Sequence, residues 1–343
     1  MHYLRKLIDA ARPVQVVPEE TSSLRSRIQP NLSPSIHTQS MNRLAVITAH
    51  FNWANFEMPV RNLHRFMRQM DRYKVPVYGV ELALKGRPFE MAGRKGWRCI
   101  EVSENAILWQ KEALLNMAER MVPKDIEVVA AIDADVEFTN PNWVRDTIRA
   151  MKFHPVVQVF ETARWTDRRG RIIRSREACT KSGLDMDKWT THPGFGWAFT
   201  REMWHRMGGW YDVAPMGAGD TLLCVALSKR PLPRTWMDNA YSYLGPFNHA
   251  HFDQWRAKVQ KAMEGHACGW VPGDIIHEWH GDLKNRNYNR RHEFIEGFSI
   301  KRHVKHTRAG YLEWSIWAPP KLKKNMVNYF ALRDEDGKTQ PEE

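Results

Sequence analysis

Two aspartates one residue apart, Asp133 and Asp135, stand directly after the apolar run Val128-Val129-Ala130-Ala131-Ile132. That run has the length and β-branched content of a strand buried on both faces, and residues i and i+2 of a strand point the same way. Both carboxylates are expected to emerge together at the strand's carboxyl end, the edge at which open α/β sheets bind ligands. Two hard oxygen donors there suit Mg²⁺ or Mn²⁺ shared with phosphate oxygens. The plainer reading is a strand cap opening a turn, helped by Asn140-Pro141.

A second segment runs from His192-Pro193-Gly194-Phe195-Gly196-Trp197-Ala198-Phe199 through Gly208-Gly209-Trp210-Tyr211-Asp212 to Gly217-Ala218-Gly219-Asp220. Its glycines permit close backbone approach to a ligand, and Asp220 stands at the start of a helix expected over Thr221 to Ser228. As structure, Asp220 is a helix cap; as chemistry, it is a fixed carboxylate able to take a proton from an acceptor hydroxyl. In the third segment, Ile275-Ile276-His277-Glu278-Trp279-His280-Gly281-Asp282-Leu283-Lys284-Asn285-Arg286, an imidazole can ligate a cation while Lys284 and Arg286 neutralise phosphates. His277 and His280, three apart, share one side of a helix but not of a strand.

The elements that must hold these groups alternate. Strand patterns near 44–49, 76–83, 97–102, 127–133 and 156–160 are separated by helical patterns near 58–71, 106–121 and 142–152. Such alternation predicts βαβ units, hence an α/β fold with a mixed, mostly parallel sheet flanked by helices. Residues 1–40, rich in Ser, Pro, Gln and Arg, read as an N-terminal extension, 41–300 as one catalytic domain, and 301–343 as a basic, then acidic, C-terminal tail. With 343 residues there is length enough for a large core, and a net charge of +12 favours polyanionic partners. Cys99, Cys179, Cys224 and Cys268 show no zinc-like spacing, the first 17 residues do not read as a signal peptide, and no window suits a transmembrane span. A soluble cytoplasmic protein is the expectation.

In this order and spacing the three segments resemble the GT-A fold glycosyltransferases, of the family 2 and galactosyltransferase kind, over about residues 41–300. The D-x-D, the Gly-rich strand leading to an acid, and the final His-Gly-Asp-Leu-Lys carry the resemblance. It implies a Rossmann-like single domain, Mn²⁺ or Mg²⁺, and a nucleotide-sugar donor, most simply a UDP-sugar. By the same resemblance Asp135 and His280 ligate the metal, with His277 in reserve, and Asp133 meets metal or ribose. Asp220 matches the catalytic base of inverting members, although Gly219 stands where many relatives carry an acid. On the donor side the resemblance points to His50 and Asn52 after the first strand, Glu81 ending the second, Lys111 on the following helix, Trp197, Lys284 and Arg286.

For the acceptor, Arg164-Trp165-Thr166-Asp167-Arg168-Arg169-Gly170-Arg171-Ile172-Ile173-Arg174-Ser175-Arg176 is dense in arginine. A polyanion fits Arg168, Arg169, Arg171, Arg174 and Arg176, and Trp165 is a candidate to stack on a base, which together suggest DNA; a resemblance in logic, not in motif, to phage enzymes that glycosylate hydroxymethylated pyrimidines implies that base as the acceptor. A cell-envelope saccharide is the alternative acceptor. A protein of another class, holding nucleic acid or nucleotide sugar without turnover, is the competing reading.

Overall fold

The computed structural model describes residues 43–184, 190–228, 234–286 and 290–338. The N-terminal extension expected over 1–40 lies outside the described residues. Numbered in chain order, the strands sort into three sheets. The central sheet contains β1 (Leu44–Phe51), β2 (Val77–Leu84), β3 (Trp97–Val102), β4 (Val128–Ile132), β6 (Val156–Gln158), β10 (Gly196–Thr200) and β11 (Gly269–Trp270). The second holds β5 (Val136–Phe138), β7 (Thr162–Thr166), β8 (Ile172–Ala178), β9 (Thr191–His192) and β12 (Asp274–His277), and the third pairs β13 (Val304–His306) with β14 (Leu312–Trp314).

In the central sheet the order is β11-β6-β10-β4-β1-β2-β3. All pairings are parallel except those of β10, which runs antiparallel to both β4 and β6. The expected α/β architecture is therefore present, and the expected strands and helices fall within a few residues of their predicted places. Helical periodicity overreached most in the second helix, predicted over 106–121: a 3₁₀ turn, Glu104–Ala106, precedes the α-helix Lys111–Glu119.

Strand β4 is buried along its whole length, and its alternation assigns each residue to a layer. Val128, Ala130 and Ile132 pack with Leu63, Phe66 and Trp143 from the helices Glu57–Tyr73 and Trp143–Ala150. Val129 and Ala131 face the other way, among Leu114, Leu223 and Trp197. Helices thus cover both faces, as the continuous hydrophobic run of a buried strand requires.

The segment expected as a C-terminal tail is part of the fold. Leu322, Met326, Tyr329 and Phe330 form the buried stripe of the helix Pro320–Leu332, with i, i+4, i+7, i+8 spacing, and join the same core as Leu114. Beyond it Arg333, Asp334, Glu335 and Asp336 are buried rather than solvated. Asp336 accepts hydrogen bonds from the backbone N–H groups of Glu57 and Met58, at 2.8 and 2.9 Å, and so serves the open end of the helix Glu57–Tyr73.

Gly281 shows how tightly this segment docks. It has φ +83°, and a Cβ there would lie 2.7 Å from the Asp334 carbonyl oxygen and 2.8 Å from the Glu335 Cα. Gly281→Ala is expected to destabilise the fold by roughly 1–3 kcal/mol, from backbone strain and displacement of residues 333–335. Denaturant unfolding checks this; a change below about 0.5 kcal/mol, the ordinary surface range, would contradict the docking.

Candidate active site

Asp133 and Asp135 occupy the turn between β4 and β5, where the chain leaves the central sheet for the second one. The carboxyl end of β4 is fixed there by two bonds: Thr48 Oγ1 donates to the Ile132 carbonyl at 2.8 Å, and the Asp133 N–H donates to Phe195 O at 2.9 Å. Both carboxylates line one cleft, shared with Lys111, Asp220, His277, His280, Arg286 and Glu335. The two acids take different partners within it.

Asp133 faces Lys111, the first residue of its helix, with Nζ 2.8 Å from Oδ1. The same ammonium lies 2.9 Å from Asp220 Oδ2. Burial would lower the Lys111 pKa, but Asp133 and Asp220 hold it well above the ordinary lysine value. Asp133 is pushed up to about 7, first by burial and then by Asp220 and Asp135, with Lys111 opposing. Asp220 sits in the first turn of the helix Gly219–Leu227, which starts two residues before the expected Thr221. The cap position falls to Ala218 at φ 69°, so Asp220 does not cap the helix, and its carboxylate is turned to Lys111 in the cleft.

Gly219 has a steric reason. A Cβ there would lie 2.1 Å from Oε1 of Glu112, so a carboxyl group from the neighbouring helix fills the space that a side chain at 219 would need. Glu112 Oε1 is buried without a hydrogen-bond partner. Burial pushes this carboxyl up to about 7, with Lys111 pulling the other way.

Asp135 faces the histidines. Its Oδ2 is 2.8 Å from His280 Nε2 and 3.5 Å from His277 Nε2, and the two imidazole nitrogens are 3.3 Å apart. His277 is the last residue of β12, while His280 follows in the turn that Gly281 closes, so the pair converges without a helix. Register places His277 there: β12 pairs with β5, opposing His277 to Val136, and the Glu278 N–H donates to Asp135 O at 2.8 Å.

These three side chains could hold a divalent cation. Their converging atoms lie within 4.8 Å of one another, and the separations bracket the ~3 Å edge of an octahedron with bonds of about 2.1 Å. Asp135 Oδ1 is buried with no partner, as expected of a carboxylate oxygen that awaits a cation. Burial lowers His277 to about 4, which leaves a neutral imidazole at neutral pH. Burial would raise Asp135, yet His277 and His280 hold it well below the usual carboxylate range. Carboxylate and neutral imidazole are the forms that bind Mn²⁺ or Mg²⁺. Asp133, its oxygen on Lys111, is not one of the three.

Among the donor candidates, His50 lines the cleft and burial lowers its pKa to about 4. Asn52 also lines it, but its amide shapes the local turn, donating to Phe56 O at 2.7 Å and accepting from Phe56 N at 3.0 Å. Arg286 is buried in the cleft with its Nε unpaired. Three expectations need correction. Trp197 is 0 % exposed, because the alternation of β10 turns it into the helix-covered core, with Nε1 donating to Pro193 O. Glu81 is buried away from the cleft, accepting from the N–H groups of Glu90 and Met91 at 2.8 and 2.9 Å and so fixing the loop after β2. The Lys284 side chain is 68 % exposed and pairs with Asp282 outside the cleft.

Trp165 is a fourth correction. At 6 % exposed it packs against His192, Phe195 and His277, so it cannot stack on a base. The arginines lie on the β7–β8 hairpin, with Arg168, Arg169, Arg171 and Arg174 exposed and Arg176 half-buried. Arg168 lies over the Trp279 ring at 5.6 Å, Arg174 over Trp165 at 5.9 Å, and Arg171 pairs with Asp167 at 2.7 Å.

Glu335, Arg333, Glu112 and His192 reach the cleft or its wall without having been singled out for a role. The apolar stripe Leu322, Met326, Tyr329 and Phe330 is the signal that could have found Glu335 and Arg333, since an amphipathic helix there carries the residues after it back to the core.

No protein-family model matches the sequence, and no curated protein matches it. Solved structures similar in shape include glucosyl-3-phosphoglycerate synthase from Mycobacterium tuberculosis with Mn²⁺, UDP-glucose and phosphoglyceric acid, 11 % identical over 87 % of this chain and 97 % of that one, TM-score 0.38. The catalytic domain of Drosophila β1,4-galactosyltransferase 7 with xylobiose is 10 % identical over 79 % and 94 % of the two chains, TM-score 0.32. A 4-diphosphocytidyl-2C-methyl-D-erythritol synthase from Anaerococcus prevotii is 11 % identical over 67 % and 88 %, TM-score 0.33. Likeness at this level carries nothing about activity.

Two outcomes test the site. Mn²⁺ is expected to raise the melting temperature of the protein and to leave Asp135→Ala and His277→Ala unmoved, since binding to the folded state stabilises it by mass action. Glu112, with its folded pKa raised to about 7 from 4.5, contributes stability that is full below 4.5 and is lost as pH rises through 7. Chemical denaturation across that window is expected to show a shallower decline in Glu112→Gln than in wild type.

Proposed function

We propose that this protein is a metal-dependent glycosyltransferase, taking a sugar from a nucleotide diphosphate, in the first instance UDP, to an acceptor hydroxyl. The observation that carries the reading is one cleft containing a three-ligand cation site, buried guanidinium groups and a separate carboxylate on a helix. Asp135, His277 and His280 would hold Mn²⁺ or Mg²⁺, which when bound supplies Lewis-acid stabilisation of the leaving diphosphate. Arg286, its Nε unpaired, offers further charge to those phosphates. Phe51, Trp109 and Phe330 form an aromatic wall along the cleft, with Trp109 and Phe330 near-parallel at 6.5 Å, a surface suited to a nucleobase.

Asp220 is assigned as the general base. Its Oδ2 takes the proton of the acceptor hydroxyl while that oxygen attacks the anomeric carbon, and a single displacement inverts the configuration. Lys111, bridging Asp220 and Asp133, holds both carboxylates in place.

For the acceptor we propose a hydroxymethylated pyrimidine in DNA. Support comes from the exposed arginines of the β7–β8 hairpin, which adjoins the cation site because β7 pairs with β12, the strand of His277. Trp165, buried beneath the hairpin, takes no part, and the recognition is by charge.

Incubation with radiolabelled UDP-sugars and Mn²⁺ tests the activity, with hydroxymethylated DNA, unmodified DNA and envelope saccharide as acceptors. Label in hydroxymethylated DNA alone is the expected result, and label in saccharide alone would reject the DNA acceptor. Absence of turnover or donor hydrolysis with every nucleotide sugar would favour a silent binding protein. Asp220→Asn is expected to lower kcat by about 10²–10⁴-fold while donor affinity stays near wild type.

A further inference from the structure

We infer that Glu335, in the C-terminal segment, is a positioning residue that sets the tautomer and orientation of the metal ligand His280; the inference rests on the metal-dependent reading above. His280 presents its two ring nitrogens to different surroundings. Nε2 faces Asp135 and His277, while Nδ1 lies 3.3 Å from Glu335 Oε1. A cation at the first position needs the lone pair on Nε2, so the ring proton belongs on Nδ1. There it requires an acceptor. Arg286 Nη2 also lies 3.3 Å from Nδ1, but a guanidinium only donates, which leaves Glu335 to take the bond. Without a cation, the Asp135 carboxylate 2.8 Å from Nε2 favours a proton on that atom; a cation between them would take the Nε2 lone pair and leave the Nδ1 proton to Glu335.

Glu335 is itself fixed from several sides. Arg333 Nε donates to its Oε1 at 2.7 Å, and the Arg333 guanidinium lies over the rings of Trp109 and Tyr329 at 5.5 and 5.9 Å. Asp336, one residue on, is tied to the backbone of Glu57 and Met58. Gly281, next to His280, admits the backbone of residues 333–335 because it has no side chain. With a cation on Nε2 this would be a carboxylate–imidazole–metal arrangement whose carboxylate comes from more than fifty residues beyond the histidine.

Mn²⁺ affinity, measured from the free-ion electron paramagnetic resonance signal, tests this in wild type, Glu335→Ala and Glu335→Gln, with His280→Ala as reference. Long-range ¹H–¹⁵N spectra of the Mg²⁺-saturated proteins report the His280 tautomer independently of activity. Glu335→Ala is expected to weaken Mn²⁺ binding by about 10–100-fold and to lose the pure Nδ1–H signature. Glu335→Gln, which keeps an acceptor oxygen, is expected to retain that tautomer and fall between the two in affinity. If wild type binds Mn²⁺ and Glu335→Ala matches it in affinity and tautomer, the role of Glu335 is overturned while the metal reading stands. Weakened binding with an unchanged tautomer would make Glu335 structural only, and overturn it too. A wild-type protein with no Mn²⁺ affinity would remove the metal reading itself.

Discussion

Asp133 and Asp220 share a single ammonium, that of Lys111, and the cleft is built around this pairing. One carboxylate ends a central strand and the other begins a helix of the facing layer, so the lysine ties the sheet to the helical layer where the sheet stops. Each acid would be costly to bury ionised without a nearby cation. The same reasoning extends outward: Asp135 has the histidines, Glu335 has Arg333, and Arg286 still has an unpaired nitrogen. Asp135 Oδ1 and Arg286 Nε, both without a partner, line the same cleft.

The last described segment completes that balance. The helix Pro320–Leu332 packs its apolar stripe into the core, and the residues that follow lie against His280, Gly281 and the first helix. An acidic stretch that in isolation reads as solvated becomes a buried carboxylate beside a histidine, because its charges meet Arg333, His280 and a helix N-terminus.

The hairpin of arginines follows a different rule. Several of its cations already have partners, Arg171 on Asp167 and Arg164 on Asp274, while Arg168 and Arg174 lie over indole rings. Trp165 supports this surface from below and contacts His277, linking the exposed hairpin to the cation site through packing. Its burial follows from strand alternation, since Ala163 and Trp165 both face the core.

Much of the fold was legible in the chain. The buried run Val128–Ile132, the alternation of strands and helices, and the pairing of Asp133 with Asp135 at a strand end all follow from local periodicity, which depends only on neighbouring residues. The cluster of His277 and His280 was visible as a pair of metal-competent groups, and Asp220 as an acid beside glycines. Local pattern did not reveal direction or distance. Trp197 and Glu81 sit in promising strands yet point into core and loop, a difference settled by register and by what packs opposite. That Glu112 fills the space at Gly219, that Lys111 bridges two acids 87 residues apart, and that Glu335 reaches His280 were decided by tertiary structure alone. Those contacts join residues far apart in the chain, and only the packing of two layers and a returning helix brings their charges within reach of one another.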